Sequence, residues 1–137
     1  MAGDASPFDN GDMPSTAVYI VDDLPSMRER LREIVTGVGT AHVVGDAGTP
    51  AGAIEGILTL RPACVLLDYR LQDGTGLDVL RAVAGRAPGT TFVVLTNHPD
   101  PQYRRACVAA GAHHFLDKST EFHCIEDLLR TLQSTAH

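Results

Sequence analysis

The stretch "CVLLDYRLQDGTGLDVL", residues 64–80, has the pattern of a buried strand at its start and of an amphipathic helix at its end. Cys64 and three further apolar residues run directly into an acid, Asp68, and a polar loop with two glycines follows. A continuous apolar run is typical of a strand in a parallel sheet that is covered on both faces. The stretch therefore predicts a strand, a loop and a helix, with a carboxylate at the point where the strand ends.

The same strand-and-helix unit recurs along the chain. Apolar runs predict strands at 17–22, 41–47, 63–68, 90–96 and 113–117, and helical periodicity with Pro and Gly boundaries predicts helices at 25–39, 50–60, 76–85, 101–111 and 121–134. Crossovers between parallel strands are almost always right-handed. The pattern thus predicts an α/β fold, a doubly wound five-stranded parallel sheet with helices on both faces. Ligands of such sheets bind outside the carboxyl ends of the strands.

Length and composition limit the classes of protein to consider. A chain of 137 residues predicts one domain, which we place at 16–135, after a flexible tail at 1–15 that has little to bury. The net charge of -6 argues against direct binding of nucleic acid or an anionic membrane, since both need a basic face. No apolar run approaches the roughly 18 residues of a membrane span, and we do not expect the acidic stretch at residues 1–15 to be a signal peptide. We expect a soluble, cytoplasmic protein.

Polar side chains follow four of the predicted strands. Asp22 and Asp23 end the first strand, Asp68 the third, Thr96 the fourth and Lys118 the fifth. Adjacent strands lie about 5 Å apart, so these groups can converge. Carboxylates at such a short distance repel one another unless a cation is present. Mg²⁺ suits them best, with Mn²⁺ as the alternative, because it binds carboxylates and phosphate oxygens. A hydroxyl and an ammonium suit the other phosphoryl oxygens. Asp68 is therefore predicted to capture a phosphoryl group.

Each of these residues also has a structural explanation when it is taken alone. Asp22 or Asp23 could cap the helix that starts near Pro25, and Asp68 could simply lead into a turn. Thr96 and Lys118 could be an ordinary strand residue and an ordinary surface lysine. The functional interpretation depends on their joint occurrence, in order, at the ends of one repeated pattern.

Four motifs carry a resemblance to a known family. They are "IVDD" (20–23), "LLDYRLQDGTGLDVL" (66–80), "VVLTNH" (93–98) and "AGAHHFLDKS" (110–119). Together they resemble the receiver domain of bacterial two-component response regulators, in particular a stand-alone receiver of the chemotaxis type. The resemblance implies a flavodoxin-like sheet with strand order 2-1-3-4-5 and a role as a phosphorelay signalling protein.

The family's metal and acceptor residues fall on matching positions of this sequence. The resemblance implies that Asp68 is the phospho-accepting carboxylate. It implies that Asp23 ligates Mg²⁺ directly, that Asp22 acts mostly through water, and that the backbone carbonyl of Arg70 supplies another ligand.

The family's switch residues also have counterparts. Thr96 and Lys118 would each bind a phosphoryl oxygen, and Phe115 matches the aromatic residue whose rotamer changes on activation. The resemblance implies a sensor histidine kinase or phosphotransfer protein as donor, and a downstream protein partner at the helix 4, strand 5 and helix 5 face (101–132), which also allows a dimer. It implies no enzymatic activity beyond self-phosphorylation and autodephosphorylation.

The sequence departs from the family pattern after Lys118. The family commonly has a cis proline there, but Ser119 stands in its place, and a non-proline cis bond costs about 2.5–4 kcal/mol. We expect a trans Lys118–Ser119 bond and a rearranged loop. Arg70 and His98 lie two residues beyond Asp68 and Thr96, where they either tune the rate of dephosphorylation or form a solvated rim.

Several alternatives stay open. The stretch 95–119 resembles receivers that precede a DNA-binding output domain, so the chain could be a receiver fragment of a longer transcriptional regulator, although "LQSTAH" (132–137) favours the stand-alone protein. A degenerate, unphosphorylated docking receiver is a second alternative. A haloacid-dehalogenase-type phosphatase needs an Asp-x-Asp pair that Asp68-Tyr69-Arg70 lacks. The glycines of "GDAGTPAG" (45–52) match no phosphate-binding loop, and the histidines and cysteines are too scattered to predict zinc.

Overall fold

The computed structural model describes residues 15–135, so the predicted tail lies, apart from Ser15, outside the described residues. All ten predicted elements are present in the predicted order. They are β1 (Thr16–Val21), α1 (Pro25–Val38), β2 (Ala41–Ala47), α2 (Pro50–Leu60), β3 (Cys64–Asp68), α3 (Gly76–Val83), β4 (Thr91–Thr96), α4 (Pro101–Ala110), β5 (His114–Asp117) and α5 (Cys124–Thr135).

The five long strands form one parallel sheet in the order β2-β1-β3-β4-β5, which confirms the predicted fold class and strand order. The order reverses between β1 and β3, where ligands of doubly wound sheets bind. Val21 pairs with Leu67 in the register of these two strands. The next residue on each strand is Asp22 or Asp68, so the register alone brings two acids side by side.

Two hydrophobic clusters cover the two faces of the sheet. Alternate strand residues pack against α2, α3 and α4 on one face, and the remaining ones pack against α1 and α5 on the other. The first face includes Val65, Leu67, Phe92, Val94, Ile57, Leu80 and Cys107, and the second includes Ile20, Leu66, Val93, Leu95, Leu31, Ile125 and Leu129. Full burial of each large aliphatic side chain stabilises the fold by about 1.5–3 kcal/mol. The strand ends are therefore held on a rigid base.

The structure adds local features that periodicity did not predict. A hairpin of two-residue strands, Arg70–Leu71 with Gly74–Thr75, follows β3, and its turn places Asp73 at φ 72°. The predicted helix at 76–85 ends at Val83 and continues as a 3₁₀ turn over Ala84–Arg86. The last helix begins at Cys124, three residues later than predicted. Within residues 15–135 no helix is both long and apolar enough to cross a membrane.

A slot between β2 and α2 holds the ring of Tyr19. Tyr19 is 4% exposed and its hydroxyl donates a hydrogen bond to the backbone carbonyl of Asp46, 3.2 Å away. A Cβ at Gly45 would lie 2.8 Å from Tyr19 Cε1, and a Cβ at Gly56 would overlap the hydroxyl group. The absence of a side chain at Gly45 and at Gly56 therefore leaves the room in which the Tyr19 ring is buried.

The Gly56→Ala variant is expected to lower the free energy of unfolding by about 2–3 kcal/mol, because the added methyl group must displace a buried ring. Gly37→Ala is the matched control. Gly37 is also helical, and nothing lies within 4 Å of its Cβ position, so we expect a gain of about 0.5–1 kcal/mol. Urea denaturation of both variants gives the comparison. Equal effects would show that the Tyr19 slot tolerates a side chain.

Candidate functional site

The loops after β1, β3, β4 and β5 surround one cavity of about 180 Å³ at the carboxyl edge of the sheet. Its lining consists of Asp23, Leu24, Asp68, Arg70, Thr96, Asn97, His98 and Lys118. The structure thus brings together most of the side chains that the sequence singled out. Asp22 lies behind this lining, where its carboxylate pairs with Lys118.

Asp22 is completely buried and its polar groups are paired. Its backbone N–H donates to the carbonyl of Ala47 at 3.0 Å. One carboxylate oxygen, Oδ1, accepts from the N–H of Leu24 at 3.0 Å, and the other, Oδ2, accepts from Lys118 Nζ at 2.9 Å. The N-cap residue of α1 is Leu24, and no side chain caps this helix. The capping explanation for Asp22 or Asp23 is therefore wrong.

Lys118 joins two of the acids. Its Nζ atom lies 2.9 Å from Asp22 Oδ2 and 3.4 Å from Asp68 Oδ2, and its side chain is only 5% exposed. The backbone N–H of Lys118 donates to the carbonyl of Thr96 at 2.8 Å, which fixes the residue to the end of β4. Because its side chain is buried and paired, Lys118 is no ordinary surface lysine. Removal of its ammonium group would leave two buried carboxylates without their cation.

The carboxyl group of Asp68 carries an unusual protonation equilibrium. Burial raises the pKa of Asp68 to about 6, against the opposing attraction of Lys118, and the nearby charge of Asp22 raises it further. A hydrogen bond from the backbone N–H of Arg70 acts in the same lowering direction as Lys118. The attraction of Lys118 is thus too weak to offset the burial of this carboxyl group.

Three carboxylates are arranged as a cation site would require. Asp22, Asp23 and Asp68 each offer one oxygen, and these atoms lie within 4.8 Å of one another. The carboxylate of Asp23 has no hydrogen-bond or ion-pair partner within residues 15–135. Oxygen ligands of this kind are the ones that hard divalent cations prefer. The residues therefore fit the predicted Mg²⁺ or Mn²⁺.

Thr96 is buried at the floor of the cavity, with 1% of the residue exposed. Its Oγ1 atom accepts a hydrogen bond from the backbone N–H of His98 at 3.0 Å, so the hydroxyl proton remains available for a second acceptor. The residues Arg70 and His98 are exposed at the rim of the cavity. The structure thus places both rim residues where the sequence predicted them.

Phe115 is 7% exposed and lies in the hydrophobic cluster that α2, α3 and α4 cover, outside the cavity lining. In the same cluster the ring of Tyr69 stacks on Tyr103 of α4, with centroids 4.5 Å apart and an interplanar angle of 17°. Tyr69 directly follows Asp68 in the chain. Sequence analysis did not single out this stack, although an aromatic residue next to the central acid was a signal for it.

Gly76 is a further residue that sequence analysis missed. Its N–H donates to the carbonyl of Tyr69 at 2.6 Å, and a Cβ at this position would lie 2.6 Å from the backbone oxygen of Asp68. Any side chain here would push α3 away from the end of β3. The glycine therefore lets the first turn of α3 pack directly against the backbone of the central acid.

The loop after β5 has the predicted trans peptide. No peptide bond between residues 15 and 135 is cis, so the Lys118–Ser119 bond is trans. Ser119 instead closes a local turn, in which its N–H and Oγ donate to Asp117 Oδ1 at 2.8 Å and 2.6 Å. These hydrogen bonds, first of all the one from the Ser119 side chain, lower the pKa of Asp117. The serine thus stabilises the loop through its side chain.

Comparison with known proteins gives one family. The sequence profile of the response regulator receiver domain matches residues 18–130. The chain is 31% identical over 101 residues to the DNA-binding transcriptional activator DevR/DosR of Mycobacterium tuberculosis, covering 74% of this chain and 46% of that protein. It is 33% identical over 119 residues to the acid tolerance regulatory protein ActR of Rhizobium meliloti, covering 87% of this chain and 59% of that protein. The chain thus spans about half the length of these relatives.

A solved structure agrees with the sequence comparison. The signal receiver domain of the putative response regulator NarL from Mycobacterium tuberculosis superposes with a TM-score of 0.79 at 30% identity, and the alignment covers 88% of this chain and 98% of that domain.

Proposed function

This chain belongs to the response regulator receiver family, and from that premise we propose that Asp68 accepts a phosphoryl group from the phosphohistidine of a histidine kinase or phosphotransfer protein. The observation that carries the proposal is the position of Lys118, whose Nζ atom lies between the carboxylates of Asp22 and Asp68 beside an open cavity. A buried ammonium group beside a buried carboxylate, at the edge where the strands end, suits an acceptor of phosphoryl groups.

The transfer forms one bond and breaks one. A carboxylate oxygen of Asp68 attacks phosphorus, the P–N bond of phosphohistidine breaks, and its electron pair returns to the imidazole nitrogen. The Lys118 ammonium and the Thr96 hydroxyl stabilise phosphoryl oxygens during this step, since charge-assisted donors are the strongest available here. Mg²⁺ or Mn²⁺, held by Asp23, Asp68 and the Arg70 carbonyl with Asp22 behind, would neutralise charge on the transferring group.

The output surface that we propose consists of α4, β5 and α5. An aspartyl phosphate adds roughly two negative charges and new acceptor oxygens next to Thr96. Its attraction for the Thr96 hydroxyl biases the packing of Phe115, and the Tyr69–Tyr103 stack offers a second connection from Asp68 to α4. A downstream protein, or a second copy of the chain, would bind this surface, where Val108 is 53% exposed.

Incubation with Mg²⁺ and acetyl phosphate, followed by intact-mass measurement, tests the proposal. The chain should gain the mass of one phosphoryl group, and its activities should be limited to self-phosphorylation and autodephosphorylation. Turnover of p-nitrophenyl phosphate through many cycles would contradict this and favour a phosphatase. Cytoplasmic localisation and the domain boundaries 16–135 stay predictions.

A second candidate is the receiver of a longer DNA-binding regulator. The relative DevR/DosR is a DNA-binding transcriptional activator, and this chain covers only 46% of it. In that case direct contact with nucleic acid would come from residues outside the present sequence. Immunodetection of the native polypeptide in cell extract discriminates the two candidates: the stand-alone receiver predicts a band at 14.6 kDa, and the longer regulator a band of roughly twice that mass.

The Arg70→Ala and His98→Ala variants are expected to shorten the lifetime of the aspartyl phosphate, by about threefold or more, because each removes a rim side chain that restricts water. The decay of labelled protein after removal of the donor gives the rate. Gln72→Ala is the control, since Gln72 is exposed in the same loop but does not line the cavity. Unchanged lifetimes in both rim variants would show that these residues are only solvated rim.

A further inference from the structure

The guanidinium group of Arg28, in the first turns of α1, contacts the backbone of the acidic cluster. Its NH1 atom donates a hydrogen bond to the carbonyl oxygen of Asp22 at 2.5 Å, and its side chain is 23% exposed. No motif singled out this arginine from the sequence. Its contact is with the main chain of the site and not with a carboxylate of the cation cluster.

The carbonyl of Asp22 belongs to the peptide unit that leads to Asp23. The atoms of that unit are coplanar, so an oxygen held at one edge fixes the direction in which the chain enters Asp23. Asp22 is anchored through its N–H and both carboxylate oxygens, as described above, whereas the Asp23 carboxylate has no partner within residues 15–135. The bond from Arg28 is thus a fixed point on the peptide plane that orients Asp23.

Arg28 is itself held from β2. Its Nε atom lies 3.9 Å from Asp46 Oδ1, and Asp46 Oδ2 also binds Arg32 NH2. Gly48 leaves room for the guanidinium, because a Cβ at Gly48 would lie 3.1 Å from Arg28 NH1 and 3.6 Å from the Asp22 carbonyl oxygen. Asp46 therefore attracts the guanidinium from one side, and Gly48 leaves room for it on the other, so that Arg28 reaches the Asp22 carbonyl.

We propose that Arg28 is a positioning residue for the divalent-cation site, which orients Asp23 by holding the Asp22 carbonyl, with Asp46 as its anchor and Gly48 as the space that admits it. The inference rests on the proposed function, since it assigns Asp23 as a cation ligand. The proposal predicts that removal of Arg28 weakens cation binding, whereas a purely electrostatic role predicts the opposite change. A guanidinium near three carboxylates repels a divalent cation, so if charge alone mattered, removal of Arg28 would tighten cation binding.

Titration of the full 137-residue chain with Mn²⁺, followed by electron paramagnetic resonance of the free ion, tests the proposal. The Arg28→Gln variant should bind Mn²⁺ about tenfold more weakly, in line with the loss of one hydrogen bond from a charged donor. Gly48→Ala should weaken binding in the same direction, because the added methyl would lie 3.1 Å from Arg28 NH1 and push the guanidinium off its position, although residue 28 is still an arginine. Arg28→Lys keeps the charge and one donor, and should recover part of the affinity.

Arg32→Gln is the matched control. Arg32 lies on the same helix and binds the same Asp46, but it makes no contact with Asp22. It removes the same charge, and Mn²⁺ affinity should stay within about twofold of wild type. Circular dichroism and thermal denaturation establish that each variant is folded, and Gly48→Ala gives the answer if Arg28→Gln is not.

The outcomes separate the two levels of the proposal. Wild-type binding of Mn²⁺ with unchanged or tighter binding by Arg28→Gln and Gly48→Ala overturns the role of Arg28 and leaves the cation site intact. Equal weakening by Arg32→Gln overturns it as well, because the effect would then be one of surface charge. A wild-type chain that binds no Mn²⁺ contradicts the proposed function itself.

Discussion

The Asp68→Asn variant is expected to abolish phosphoryl acceptance and, at the same time, to stabilise the cation-free protein near neutral pH. The first effect follows because an amide oxygen is not a nucleophile of this kind, and Asp68 is the acid that both lines the cavity and lies 3.4 Å from Lys118 Nζ. The second follows from the pKa of Asp68, which burial raises to about 6 from the ordinary value of 3.8 for an aspartate.

The sign of the second effect can be derived from proton binding. A carboxyl group whose pKa is raised on folding binds its proton more tightly in the folded state. Its contribution to stability is complete below about pH 3.8 and is lost as the pH rises through about 6. Above that pH the folded protein must hold an ionised, largely desolvated carboxylate, and asparagine removes this cost. We expect a gain of about 1–2 kcal/mol near pH 8, allowing for partial solvent screening.

Urea denaturation in EDTA, near pH 8 and near pH 4, measures this effect. The advantage of Asp68→Asn should be present at the higher pH and absent at the lower one. Added Mg²⁺ should then raise the free energy of unfolding of the wild type more than that of Asp68→Asn. A ligand that binds only the folded state stabilises that state in proportion to the logarithm of the ligand concentration. An Asp68→Asn variant that is less stable than wild type at both pH values would contradict this account of the acid.

The Lys118→Met variant is expected to lower the rate of phosphoryl acceptance by about a hundredfold or more. Removal of one preorganised donor to a transferring group typically costs that much in rate. The loss also leaves Asp22 and Asp68 buried and without their shared cation, so the folded protein should be less stable by about 3 kcal/mol. Methionine keeps most of the volume of the lysine stem, which limits the packing contribution to this effect.

The control for Lys118→Met is Arg130→Met on α5. Arg130 is 54% exposed and, in the part of the chain that the structure describes, its ion pairs are with the exposed acids Glu126 and Asp127, so this variant changes the net charge equally without touching the site. Rates of labelling by acetyl phosphate, at equal Mg²⁺, give the comparison. Lys118→Arg provides a second test that keeps the charge, and we expect an intermediate rate. Acceptance by Lys118→Met at the wild-type rate would show that the lysine has no part in the transfer.

The elements and the site residues could be predicted because each depends on local pattern. Apolar runs that end in Asp22, Asp68 or Thr96 are visible without any knowledge of the fold, and the parallel sheet then places those ends at one edge. The strand order and the individual roles came from the resemblance to receiver domains. Periodicity alone could not show that Lys118 reaches Asp22, since 96 residues separate the two partners.

The features that sequence analysis missed are contacts between elements. The stack of Tyr69 on Tyr103 and the bond from Arg28 to the Asp22 carbonyl depend on how α4 and α1 cross the sheet. The role of Gly76 depends on its approach to the backbone of Asp68. Neither spacing nor composition carries this information, because several rotamers and helix positions are compatible with the same pattern.

The position of the phosphoryl group in the chain decides whether Asp68 is the acceptor. After treatment with acetyl phosphate and Mg²⁺, reduction with borohydride converts an aspartyl phosphate to homoserine, which tandem mass spectrometry assigns to one position. We expect homoserine at residue 68, and none in place of Asp22 or Asp23. Homoserine at another aspartate, or its absence from a folded chain that binds Mn²⁺, would contradict it.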